Sequence, residues 1–420
     1  MRPEVALAAL LGVLVPARLA AQPPPSSSPT GAAPEKKDAR PGRYRVGPFY
    51  FTPRFHFGPI GLDSNVLYTA TDRQADVMVS LGPGLDSVLP LGGAGRFYLG
   101  GTLDYLYFVR TASQRRFTGS GFSGLAFKGA QTETGVEERY VDSFSRPNYQ
   151  VDERIEQQNE KTTGFVNRHL FSRLRLGLRG GRESNRTESV DYLGTNLGAA
   201  FTYDEYRAEG TFAWDLTVKS AFVVEGGFRW DRYPQDPVRD SERRLAAAGF
   251  RTDKAALLAG HALVGLRWYR QDVPQASQLQ SVYADVNETL NLSPRTRVVF
   301  TYSRDLLDSV FVPGSGTPTN QTAAMGLRLE KDITRRIDLV LFARRGRSLS
   351  NGEITIDVPD QGLVTAVRDD KVREAGADLG YRIRPNFRFG LIALYSDRQS
   401  SFSYFGVEGL LFGFNAQFNP

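Results

Sequence analysis

From Phe49 onward, apolar and polar residues alternate with a period of two, segment after segment. Phe49, Phe51, Phe55 and Phe57 alternate with Tyr50, Thr52, Arg54 and His56. Leu174, Leu176 and Leu178 stand between Arg173, Arg175, Gly177 and Arg179. Tyr206, Ala208, Gly210, Phe212, Trp214 and Leu216 alternate with Arg207, Glu209, Thr211, Ala213 and Asp215, and Phe412, Phe414, Ala416 and Phe418 repeat the beat near the end. Such alternation puts all apolar side chains on one face of an extended strand and all polar ones on the other. Helix packing is excluded over most of the chain.

Two architectures use many such strands. In a soluble β-protein the apolar faces meet in a core. In a transmembrane barrel they face lipid, and the polar faces line a lumen. Three features favour the barrel. The alternating segments run to 10–15 residues, longer than the five or six usual in a sandwich. Tight connections at Ser293-Pro294-Arg295, Asp332 to Arg335 and Arg384-Pro385-Asn386 take turns with polar loops near 306–319, 348–370 and 397–402, the rhythm of periplasmic turns and outer loops. Trp214, Trp230 and Trp268 sit near strand ends on the apolar parity, joined by Tyr105, Tyr107, Tyr302, Tyr381 and Tyr395, as an interfacial aromatic girdle requires.

The expectation is an all-β, transmembrane, antiparallel up-and-down barrel. Its strands fall near 49–57, 75–85, 96–108, 117–127, 130–143, 160–168, 172–182, 205–217, 220–232, 241–251, 255–270, 278–292, 296–305, 320–331, 336–347, 371–383, 387–396 and 403–418. That makes 18, with both ends on the periplasmic side, or sixteen if the 130–168 pair is loop. The stretch 183–204 is then the largest outer loop.

Residues 1–21 read as a secretory signal, with Arg2 ahead of the apolar run Val5 to Val15 and small residues at Leu19-Ala20-Ala21. The run is shorter than the roughly 20 apolar residues of a spanning helix. Removing 1–21 takes away Arg2, Arg18 and Glu4, so the formal charge of +6 falls by one to +5. That is mild for a chain of this length, and nucleic acid is not an expected partner. Residues 22–48, rich in Pro, Ser and Ala, form a periplasmic tether, and 49–420 form the barrel in the outer membrane.

The chain has 42 glycines, 27 phenylalanines, 18 tyrosines, no cysteine and three histidines. A disulfide scaffold, a thiol nucleophile and Cys-ligated metal are excluded, and no cofactor is expected. Gly119-Ser120-Gly121-Phe122-Ser123-Gly124 has the spacing of a dinucleotide loop, but no helical pattern follows it. It reads as a Gly/Ser-rich strand. Acidic clusters at Glu133/Glu137/Glu138 and Asp357/Asp360/Asp369/Asp370 follow no fixed calcium-loop spacing and read as solvated loop charge.

His56, near the outer end of the first strand with Asp63 and Ser64 beyond it, His169 in a periplasmic turn, and inward-facing His261 are the candidates for a hydrolase. For a histidine on the polar barrel face, as His56 and His261 are, ordinary lumen hydrogen bonding is the better reading. The inward charges are more informative. On the polar parity lie Arg173, Arg175, Arg179, Arg207, Arg229, Arg267, Arg328, Arg344, Arg382 and Arg388, against Asp104, Glu209, Asp215, Glu225, Asp231, Asp285, Glu330, Asp338, Glu374 and Asp378. An anion-selective pore shows an excess of one sign. Ten against ten predicts cross-strand ion pairs. The row Arg173/Arg175/Arg179 is the one local basic stripe, suited to acidic or phosphorylated sugars.

The stretches Val46-Gly47-Pro48-Phe49 through Pro53, Gly61 to Val66, Asp76 to Leu85, Asp231 to Tyr233, Arg239-Asp240-Ser241, Ala262 to Tyr269 and Ser293 to Asp305 resemble the β-barrel porin type 2 family, outer-membrane barrels of which several accompany exopolysaccharide or capsule export. The resemblance implies insertion into outer-membrane lipid by the barrel-assembly machinery, and polysaccharide or periplasmic export components as partners. Such barrels usually end on an aromatic residue, whereas here Asn419-Pro420 follow Phe418.

The first functional reading is a monomeric porin-like conduit for an anionic exopolysaccharide, not an enzyme, with the arginine stripe and the 183–204 loop as its working parts. The second is a non-conducting docking barrel with a plugged lumen. An outer-membrane hydrolase and a soluble secreted β-protein stand behind both.

Overall fold

The computed structural model describes residues 44–418, except 71, 149, 254–255, 274–277, 312–318 and 359–361. The proposed signal, most of the tether and Asn419-Pro420 lie outside the described residues.

Eighteen antiparallel strands close into one barrel: β1 (Phe49–Asp63), β2 (Asp76–Leu91), β3 (Gly95–Phe108), β4 (Arg116–Lys128), β5 (Thr132–Ser145), β6 (Ile155–Phe171), β7 (Leu174–Thr187), β8 (Tyr203–Thr217), β9 (Ser220–Arg232), β10 (Ser241–Thr252), β11 (Leu258–Gln271), β12 (Leu279–Ser293), β13 (Thr296–Asp308), β14 (Thr319–Asp332), β15 (Ile337–Val358), β16 (Gly362–Arg384), β17 (Phe387–Ser400) and β18 (Val407–Phe418). Each pairs with its chain neighbour, and β18 closes on β1 from Phe55↔Phe418 to Asp63↔Leu411. Closure leaves no edge, as backbone in hydrocarbon demands. The weakly patterned stretches near 130–143 and 160–168 are both strands, so the count is 18 and not sixteen.

The apolar parity faces outward. Leu178, Trp214, Phe228, Val264, Leu327 and Phe412 are 47–59% exposed, a belt that water would not tolerate and lipid covers. Trp214 lies near the short-turn end, opposite Phe222. Trp230 and Trp268 lie near the other end, where Trp230 stacks on Phe228 at 6.0 Å between ring centroids. The belt, the two aromatic levels and the polar interior are those of an outer-membrane β-barrel.

Turns of two to five residues join the strands at one end, and nearly all the longer connections lie at the other. Two expected loops are shorter than the sequence suggested. The stretch 348–370 is mostly strand, because β15 and β16 extend into a long hairpin whose Ile354, Ile356 and Val358 keep the two-residue beat. A register break between Leu349 and Glu353 carries it past Gly352, whose φ of +122° favours glycine. The 183–204 loop shrinks to 188–202, which holds a two-residue hairpin at Asp191–Tyr192 and Thr195–Asn196 and a short helix, Leu197–Phe201. At the other end of the chain, Tyr44–Val46 folds back onto the start of β1, so part of the expected tether is strand.

Candidate functional site

Among the described residues, parts of the long connections pack together with the tip of the β15–β16 hairpin. They bury a twelve-residue apolar core drawn from five parts of the chain: Val151 and Ile155; Tyr192, Leu197 and Ala200; Val310 and Phe311; Ile354, Ile356 and Val358; Phe402 and Phe405. This core roofs the outer mouth. Its keystone is the connection 146–154 between β5 and β6. The Gln150 side chain donates to Ser309 Oγ at 3.2 Å and accepts from the Val310 N–H at 2.8 Å. Its carbonyl accepts from Arg368 at 3.2 Å. Those partners belong to β13–β16, nearly opposite β5 in an 18-strand ring, so the segment crosses the mouth.

Buried arginines hold it there. Arg368 is 1% exposed, donates to Asp370 at 2.8 Å and stacks 3.8 Å from the Phe405 ring centre. Arg398 donates to the Phe405 carbonyl at 2.8 Å and pairs with Asp152. Arg146 donates to the Asp152 carbonyl at 2.7 Å and lies 4.1 Å from the Tyr68 ring centre. Burial pulls the Arg146 pKa below its ordinary value, against the opposing pull of Tyr68 and Asp152. The Asp152 N–H donates to the Tyr192 hydroxyl at 3.2 Å, and burial drives that phenol far above its usual pKa, so it stays neutral. Burying arginine is tolerable only with partners of this kind.

Below the cap the lumen wall carries a lattice of ion pairs. Arg207 bridges Glu183 and Glu205, the latter at 2.5 Å, and Arg229 meets Glu205 at 3.2 Å. Arg267 binds Asp305 at 2.7 Å, Glu225 takes Arg251 at 3.3 Å, and Arg344 meets Glu374 at 3.6 Å. Arg388 lies between Asp338 at 2.6 Å and Asp378 at 2.7 Å. Sequence parity placed Arg207, Arg229, Arg267, Arg344, Arg388, Glu225, Glu374, Asp338 and Asp378 on one face but could not name their partners, and it passed over Glu183, Glu205, Arg251 and Asp305. It also passed over Arg243, which joins Asp231 at 2.8 Å to Asp308 at 2.6 Å.

The arginine stripe does not survive as a unit. Arg173 sits in the exposed turn 172–173, because β7 starts only at Leu174. Arg175 pairs with Asp215, and Arg179 lies directly across from Glu209 in the β7–β8 register. The histidines are equally dispersed. His56 is well inside β1 and pairs with Asp104, not with Asp63 or Ser64. His169 is on β6 rather than in a turn, and His261 meets Asp285 at 3.2 Å. Glu133, Glu137 and Glu138 lie on β5, and Asp357, Asp369 and Asp370 on β15 and β16, while Asp360 lies outside the described residues. The loop positions of Asp357, Asp369 and Asp370 fail because β15 and β16 are longer than the pattern indicated, and that of Glu133, Glu137 and Glu138 fails because the weakly patterned stretch 130–143 is strand. Gly119 to Gly124 is strand throughout.

No protein-family model matches the chain, and no curated protein does. Solved structures align along most of it. The siderophore receptor PirA from Pseudomonas aeruginosa shares 10% identity at a TM-score of 0.45, over 90% of this chain and 81% of that one. BauA, the ferric preacinetobactin receptor from Acinetobacter baumannii, shares 9% at 0.44, over 83% and 62%. The copper transporter OprC shares 10% at 0.46, over 85% and 62%. Likenesses this distant say nothing about cargo.

Proposed function

We propose that this outer-membrane barrel is a conduit for a polar solute whose outer mouth is closed at rest by the 146–154 lid. The observation that carries the reading is the lid's path from β5–β6 to Ser309, Val310 and Arg368 across the ring. An 18-strand barrel is otherwise wide enough for an aqueous channel, and the wall beneath the lid is polar. The paired lumen arginines argue against a strongly anion-selective open pore. Export of an anionic exopolysaccharide, which the resemblance to the β-barrel porin type 2 family implies, is the narrower form of the proposal. The expected partners, the barrel-assembly machinery for insertion and periplasmic export components, belong to it as well.

Planar-bilayer recording in asymmetric salt tests the reading. The intact barrel should be silent or nearly so. A variant with 147–153 replaced by two glycines should give large, stable steps with weak ion selectivity. If the lid-less barrel is folded yet equally silent, the docking-barrel reading replaces the conduit.

A further inference from the structure

One sector of the lumen wall, on β3 to β6, differs from the ion-pair lattice. Tyr98, Phe122 and Phe165 share the lumen parity, and each ring lies against a glycine. A Cβ on Gly124 would stand 2.4 Å from Tyr98 Cζ, one on Gly100 2.7 Å from Phe122 Cζ, and one on Gly135 2.8 Å from Phe165 Cζ. The glycines let the rings lie flat on the sheet. Tyr98 and Phe122 are 6.2 Å apart between centroids.

Charge sits beside the rings. Tyr98 donates its hydroxyl proton to Glu137 at 3.0 Å, and the Arg96 guanidinium lies 5.8 Å from the Tyr98 ring centre. Arg139 is directly opposite Phe122 on one side and Lys161 on the other. Its Nε donates to Glu137 at 2.5 Å, yet its side chain is 64% exposed, in contrast to Arg207, Arg267 and Arg388 at 4–11%. Among the described residues, the turns at the inner end bond to adjoining hairpins, as Lys128 N–H does to Ala94 O at 2.8 Å and Asp332 N–H to Arg295 O at 2.8 Å. A solute entering from that end would meet this sector before the lid.

We infer that Tyr98, Phe122, Phe165 and Arg139 form a binding subsite for an acidic sugar unit. The electron-rich ring faces suit the C–H face of a pyranose, and the guanidinium suits a carboxylate, which it can bind with paired N–H groups. The inference rests on the conduit reading in its narrower form and adds to it the residues that would hold the acidic sugar.

The test is calorimetric titration of the detergent-solubilised barrel with a hexamer of glucuronic acid and with a neutral glucose hexamer. The wild type should bind the acidic oligomer more tightly. Arg139→Gln, at an exposed position with no packing role, should abolish that preference. Phe122→Ala should weaken both ligands by about two- to tenfold, the scale of one lost aromatic contact. The folded gel mobility of each variant separates lost binding from lost structure, and if Phe122→Ala misfolds, Arg139→Gln decides alone. Unchanged titrations in the folded variants, or no binding of either oligomer to the wild type, would overturn the subsite. Conductance by the lid-less barrel together with absent sugar binding removes the subsite and leaves the conduit. Binding without conductance does the reverse.

Discussion

Arg398→Ala should leave the barrel folded and make its cap open to trypsin at Arg154. Arg154 lies on the lid and is 8% exposed, so the closed cap protects it; Arg146 precedes Pro147 and is not a trypsin site. Arg398 itself is 2% exposed in its side chain and is the buried partner of Asp152, the residue on which the lid converges. Removing it strands the Asp152 carboxylate and the Phe405 carbonyl. Losing one member of a buried pair costs about 3–5 kcal/mol, and every 1.4 kcal/mol is about tenfold in a population. The open fraction should therefore rise by roughly two to three and a half powers of ten. The apolar core of the roof remains, so the cap should open transiently and not unfold. The measurement is the rate of trypsin cleavage in proteoliposomes, followed by mass of the fragments. A rate equal to that of the wild type would mean that the roof does not depend on this arginine.

The barrel was legible because one rule, apolar against polar at every second residue, operates along every strand and needs no knowledge of distant partners. Leu174 to Arg179 and Tyr206 to Leu216 show it without interruption. The cap was not legible, because its residues obey no period. Val151 and Phe311 read as stray apolar residues in polar connections and Phe405 as part of a strand starting at 403, and the contacts that give them meaning join Asp152 to Arg398 and Gln150 to Arg368, 246 and 218 positions apart. The one local signal was the beat Ile354, Ile356, Val358, masked by Asn351-Gly352-Glu353 just before it. The lumen charges stand between these cases. Parity put Arg267 and Arg388 on the inner face, but their partners Asp305 and Asp338 are set by barrel register. The sugar-reading residues were hidden for a similar reason. Glycine beneath an aromatic ring becomes visible only when β3 is laid against β4, and β5 against β6.

Register also fixes which glycines the fold cannot lose. Gly249 and Gly265 face inward on β10 and β11, where the two strands approach unusually closely. A Cβ on Gly249 would stand 1.8 Å from the Ala262 carbonyl oxygen and 2.9 Å from Leu263 Cα, and one on Gly265 would stand 2.0 Å from the Ala246 oxygen and 2.5 Å from Ala247 Cα. Those atoms are backbone, so they cannot move aside without breaking the β10–β11 ladder. Gly210 and Gly226, on the lipid face, are different. The nearest atoms to an added Cβ are 3.8 and 3.6 Å away, ordinary contact distances. Gly249→Val and Gly265→Val should each be destabilising by more than about 4 kcal/mol, the range reserved for severe backbone or core damage, and should abolish the compact band that a folded barrel gives on an unheated gel. Gly210→Val and Gly226→Val should keep that band, and valine's preference for strands should favour them slightly. If Gly249→Val folds as well as Gly210→Val, the two strands are farther apart than the register implies, and the inward wall from Glu225 to His261 would need to be redrawn.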